Sequence, residues 1–162
     1  VAQDPWGQQA LDYLENIITA GSSVTIEAHG NDRYGRLLGR IYTEDGYDVN
    51  YMLVRSGWAI PYIFCTGPSC DENYLENEGV ASYLEACQLA RQEGLGIFDP
   101  QNPMEEMPFE FRLRMQGREP DKYVGDFYSQ QLFAPSDYQS VDVCSRVFFG
   151  SAAEAQRIGF HY

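Results

Sequence analysis

The chain has 162 residues, enough for a compact domain with an appendage, and its 44% hydrophobic and 14% aromatic content is that of a folded protein. A formal net charge of -13 excludes diffuse, charge-driven nucleic-acid binding, so any phosphate site must be local and act against the global field. No apolar run approaches the ~18 residues of a membrane span, and no membrane partner is expected.

"DPWGQQALDYLENIITAG" predicts a helix near 8–19. Asp4 and Pro5 open it, and apolar residues recur at Ala10, Leu11, Leu14, Ile17 and Ile18 before Gly21. Val24, Ile26 and Ala28 alternate with polar neighbours, which predicts a strand over 23–29. A second strand over 36–43 should pair with it antiparallel, ahead of a turn at Asp45-Gly46. "DVNYMLVRSGWA" predicts a helix near 48–57, with Asp48 as cap and Gly57 as stop, followed by the extended piece "IPYIF". A long amphipathic helix near 74–93 should bury Leu84, Cys87, Leu89 and Ala90. Three prolines make 99–108 a meandering linker. Beyond it, "VDVCSRVFFG" predicts a strand, and "SAAEAQRIGFHY" a short helix capped by Ser151 and stopped at Gly159.

Cys65 and Cys70 bracket the turn-rich "TGPS", which can bring their Cα atoms within disulfide range; two unpaired thiols is the other account. Cys87 and Cys144 lie far apart, and neither histidine stands near a cysteine at zinc-ligand spacing, so no metal ligand is assigned. The start "VAQDPWGQQALDYL" has no basic, apolar and cleavage regions of a signal peptide and opens on Val1, which predicts upstream processing or truncation.

The order of these motifs resembles the staphylococcal nuclease (thermonuclease) family. "PWGQQALDYLENII" is similar to its first helix, "NDRYGRLLGRIY" to its D-[KR]-Y-G-R strand motif, and "DVNYMLVRSGWA" to its V-N-x-x-L-V-x-x-G-x-A helix. "YLEACQLARQEGLGIFDPQNPMEEMPFEFR" is similar to the family's last helix and its Pro-rich tail, closing on aromatic-Glu-aromatic-Arg. The likeness runs from about residue 5 to 112 and implies an α+β fold, the C-terminal part of an OB-type barrel. Residues 1–112 are thus expected to form a nuclease-like domain, incomplete at its N-terminal side, and 113–162 a small α/β module of unknown role. "CSRVFFGSAAEAQRIGFHY" is similar to the strand–helix end of Ada-type metal-binding modules, but only Cys144 is near, so metal binding does not carry over.

By this resemblance Arg36 is the catalytic arginine, Arg33 and Tyr34 contact a neighbouring phosphate, and Tyr62 lines the nucleobase side. In a strand Tyr34 and Arg36 share one face and Arg33 takes the other, while Gly35 lets a phosphate reach the backbone. A solvated strand face with surface arginines is the competing account. Arg40 and Arg55 are given no role, and His29 and His161 are read as surface residues.

The family's calcium aspartates and general-base glutamate belong to strands with D-G-D-T and D-[AT]-P-E segments, and neither segment occurs in these 162 residues. The resemblance therefore implies a calcium-dependent nuclease of DNA or RNA in its complete form, with this chain inactive alone. Its partner in completing the barrel would be its own upstream segment or a second copy. The alternative is a non-catalytic module binding nucleic acid or a protein. A secreted or periplasmic location is expected.

Overall fold

The computed structural model describes residues 3–31 and 34–162 as a mixed α+β protein. These residues pack as two compact units, one within 1–59 and 89–104, the other within 60–88 and 105–162. In the first, helix α1 (Trp6–Ile17) precedes strands β1 (Val24–Asn31) and β2 (Leu37–Thr43) and helix α2 (Val49–Arg55). The two strands pair antiparallel from Val24 opposite Thr43 to Asn31 opposite Leu37, with a bulge between Ala28 and Gly30. Both expected strands are therefore present and paired as expected. Asp48 caps α2, its carboxylate accepting the Tyr51 N–H at 3.0 Å, and Gly57 ends that turn at φ +74°.

The core of this unit is small: Val49, Val54, Ala90, Ile97 and Met104 are buried. Every residue of β1 is exposed, and so are Leu37 and Leu38 of β2. Helix α1 buries none of its residues, although its apolar spacing is helical; Leu11 is 45% exposed. The stripe is only partly covered: Ala10, Tyr13, Leu14 and Ile17 are half-buried, and the Tyr13 and Ser56 hydroxyls meet at 2.6 Å at the end of α2.

In the second unit, β3 (Ile63–Cys65), helix α3 (Tyr74–Asn77) and helix α4 (Val80–Gln92) are followed by α5 (Pro108–Met115), β4 (Tyr123–Asp126), β5 (Leu132–Phe133), β6 (Arg146–Phe149) and α6 (Ala152–Arg157). The last residues of α4 belong to the first unit. The expected continuous helix 74–93 breaks at Gly79, which adopts φ +60°, a conformation that a helix interior does not use. Leu84, Cys87 and Ala90 of the expected stripe are fully buried, Leu89 partly. Four strands form one sheet in the order β3-β6-β4-β5, with β3 parallel to β6 and the other pairs antiparallel. All four residues of β6 are buried, as a central strand requires. Among the described residues no barrel closes; the sheets have two and four strands.

Cys65–Cys70 form a disulfide with Cα atoms 4.9 Å apart, resolving the two accounts of that loop. Cys87 and Cys144 form a second, 57 residues apart in sequence, with Cα atoms 5.4 Å apart. Sequence distance had hidden that pair: α4 and the approach to β6 meet only in the folded unit.

Candidate nucleic-acid site

The "NDRYGRLLGRIY" stretch spans the tip of the β1–β2 hairpin. Asp32 and Arg33 lie outside the described residues, so the expected role of Arg33 finds no placement. Tyr34, Gly35 and Arg36 occupy the turn ahead of β2 rather than the strand itself. The expected face alternation therefore does not apply; Gly35 at φ +75° turns the backbone instead. Tyr34 and Arg36 still lie side by side, with the guanidinium carbon 5.3 Å from the Tyr34 ring centroid. Asn31 steadies the turn, its Nδ2–H donating to the Gly35 carbonyl at 3.3 Å. Tyr34 is 67% exposed and Arg36 is exposed, so both are accessible to a substrate.

Two further arginines of this unit, Arg40 and Arg55, have carboxylates beside them. Arg40 stands opposite Glu27 in the strand ladder. Glu27 also accepts the Tyr42 hydroxyl at 3.0 Å, a bond that raises the phenol's pKa, and lies 3.8 Å from His29, an ion pair only when the imidazole is protonated. Arg55 grips Glu93 through two parallel bonds of 2.9 and 2.6 Å, which lower the Glu93 carboxylate's pKa. That guanidinium fork is already filled by a carboxylate.

Tyr62 belongs to the second unit, at the entry to β3, in a ring cluster. Its centroid lies 4.9 Å from Phe148, 5.9 Å from Phe109 in stacked orientation, and 6.3 Å from Phe64. The Arg112 guanidinium sits 4.9 Å from the same ring. Burial raises the Tyr62 pKa, and Arg112 partly opposes it. The phenol stays neutral, a flat apolar surface with one polar edge. Phe109 and Arg112, from the "FEFR" run on α5, and Arg146, from β6, were not expected in any site. The aromatic-Glu-aromatic-Arg pattern was a signal for the first two; Arg146 offered none.

No group of three His, Cys, Asp or Glu side chains that could hold a metal ion occurs among the described residues. Calcium thus finds no ligand set among the described residues. No helix among the described residues is long and apolar enough to cross a membrane.

The family model for the staphylococcal nuclease homologue matches residues 1–99. The chain belongs to that family. Endonuclease YhcR of Bacillus subtilis is 36% identical over 157 residues, 96% of this chain but 12% of that protein. An uncharacterized endonuclease of Escherichia coli O157:H7 is 33% identical over 100 residues, 61% of this chain and 56% of that protein. The succinoglycan biosynthesis protein ExoI of Rhizobium meliloti is 32% identical over 95 residues, 59% of this chain and 43% of that protein. The chain spans less than two thirds of the length of each of these relatives. The nuclease-family resemblance read from the motifs is thus shown, and with it the mixed α+β content.

Proposed function

We propose that this chain carries the phosphate-handling part of a thermonuclease-like phosphodiesterase that hydrolyses DNA or RNA. The observation that carries the reading is the hairpin tip, where Gly35 at φ +75° presents Arg36 beside the Tyr34 ring in a member of the nuclease family. A planar guanidinium matches two phosphoryl oxygens at once, and its charge opposes the negative charge that grows on them as the phosphodiester is attacked. Tyr34, with Arg33 before it, binds the neighbouring phosphate, and Tyr62 lines the nucleobase side. The wholly exposed β1 and the unburied α1 support an OB-type barrel finished by further strands, from an upstream segment or a second copy. Those strands bring the calcium aspartates and the general-base glutamate. The end of the family match at residue 99 supports residues 113–162 as an addition in descent, and two disulfides support a secreted or periplasmic location.

A non-catalytic binding module is the second reading, favoured by the net charge of -13 and the lack of a carboxylate cluster among the described residues. Cleavage of denatured DNA and of RNA, with and without calcium, separates the two. The 162 residues alone should be inactive, and supplying the D-G-D-T and D-x-P-E strands as a fragment should give calcium-dependent cleavage. Arg36→Lys should then remove most of it, because Lys lacks the planar fork. Calcium-dependent cleavage by the 162 residues alone, or an unaffected Arg36→Lys, overturns the assignment. A completed protein that binds but never cleaves is the non-catalytic module.

A further inference from the structure

All four cysteines of the chain lie in the second unit, each at most 1% exposed and each in a disulfide. That unit is built from two stretches of chain, 60–88 and 105–162, and the backbone between them, 89–104, belongs to the first unit. The Cys87–Cys144 bond ties the two stretches directly, from α4 to the approach of the buried strand β6. The Cys65–Cys70 bond closes the end of β3, a strand of three residues whose one strand partner among the described residues is β6. Its loop is then gripped by α6: Glu154 accepts the Gly67 N–H at 2.7 Å, and Arg157 donates to the Cys70 carbonyl at 2.9 Å. Cys65 and Cys70 pack in one core cluster with Val80, Leu84, Val147, Phe149 and Phe160. Separate thiols in so close-packed an interior have no room to part without displacing their neighbours.

Loop-closure entropy sets the scale. A cross-link over 57 residues multiplies the ratio of folded to unfolded chains about 1,000-fold, and one over 5 residues about 30-fold. The two loops do not overlap, so the factors combine to about 30,000. A unit of this size is favoured over its unfolded form by only about 10³- to 10⁹-fold in all, so the bonds decide whether it closes. We propose that the second unit is oxidation-gated: it stays open while its cysteines are thiols and closes when an external disulfide donor makes both bonds. Each bond forms by two exchanges. One cysteine thiolate attacks the donor's S–S bond and expels a donor thiolate; the second cysteine thiolate attacks the mixed disulfide and expels the other. The donor gains two electrons and leaves as two thiols, carrying the protons of the two cysteines. Both bonds join cysteines that are consecutive in the chain, so a donor acting in chain order makes the native pairs and no isomerising partner is needed. Resting on the nuclease reading above, the consequence is latency: a phosphodiesterase made among reducing thiols stays unclosed and inactive until it reaches an oxidising compartment.

Hydrogen exchange on the whole chain, in EDTA and without nucleic acid, tests the gate. The chain is diluted from urea into either dithiothreitol or a mixture of oxidised and reduced glutathione. In dithiothreitol the amides of β4 and β6 should lose at least about 100-fold of their protection, although every side chain is unchanged. Peptide maps of the glutathione sample should show Cys65–Cys70 and Cys87–Cys144 with no isomerase added. In urea titrations Cys87→Ala with Cys144→Ala should lower the folding equilibrium constant about 1,000-fold, and Cys65→Ala with Cys70→Ala about 30-fold. If either pair fails to fold, the parent in dithiothreitol, which carries no cavity, decides the matter. Protection of β6 in dithiothreitol equal to that in glutathione overturns the gate and leaves the nuclease reading standing. A Cys70–Cys87 bond that persists until a protein isomerase is added overturns donation in chain order. The completed protein should cleave nucleic acid only after oxidation, and cleavage in dithiothreitol overturns the latency. A completed protein that closes on oxidation but never cleaves sinks the nuclease reading while the gate stands.

Discussion

Gly57 and Gly96 cross so closely that neither has room for a Cβ. At Gly57, φ +74°, a methyl group would fall onto the Leu95 carbonyl; at Gly96, φ +57°, onto the Gly57 carbonyl. The crossing is tied by the Ile97 N–H, which donates to the Gly57 carbonyl at 2.9 Å. Gly57→Ala therefore combines left-handed backbone strain with overpacking, and should lower unfolding free energy by about 2–4 kcal/mol. A urea midpoint within error of the parent's would show that the crossing opens without cost. Sequence marked Gly57 as a helix stop, which it is. Its larger role depends on a partner 39 positions away, and local pattern carries no such distance. Arg55 is similar: it looked like ordinary surface charge until Glu93 was found facing it. Arg36 was singled out by a spaced motif rather than by its own chemistry, and its role belongs to the proposed function.

At the scale of elements, capping was the most readable feature. Ser151 caps α6 as expected, accepting the Glu154 N–H at 3.3 Å. Glu154 then reaches beyond its helix and binds the Gly67 N–H at 2.7 Å and the Thr66 hydroxyl at 3.1 Å. These bonds, the Gly67 amide first, hold its pKa below the usual glutamate value. The folded state binds that proton more weakly than the unfolded chain, so the stabilisation is complete above the ordinary carboxylate pKa. It fades as pH falls through the lowered one. Glu154→Gln should cost about 1 kcal/mol at pH 7, and the gap to the parent should close as pH falls below the ordinary carboxylate range. Denaturation curves across pH check the sign, and a gap that widens in acid contradicts it. The strand pair β1–β2 was equally readable, from alternation alone. The break at Gly79 was not, since a helical period continues across a single glycine and only the positive φ shows the interruption.

At the scale of the molecule, two units differ in how fully they are closed. The second has a central strand buried along its length and a core including Val147, Phe149 and Phe160. The first leaves β1 exposed throughout and α1 without a buried residue. Opening free energies should differ by at least about 3 kcal/mol, so amide hydrogens of β1 and β2 should exchange about 100-fold faster than those of β6. Equal protection in hydrogen exchange would mean that the hairpin is already covered in solution, by a second copy for instance. The family motifs were legible because they follow chain order, through both units up to residue 99. The aromatic cluster of the second unit was hidden, since it assembles from three separated segments: Tyr62, the α5 run and Arg146.

The Cys87–Cys144 bond joins a residue inside the family-matched span to one outside it. A protease that cuts anywhere between them, in the proline-rich 99–108 stretch for instance, severs the backbone but not the molecule. Both pieces travel together until a reductant parts them, so for a chain exposed to foreign proteases such a nick changes the count of termini rather than the inventory of side chains.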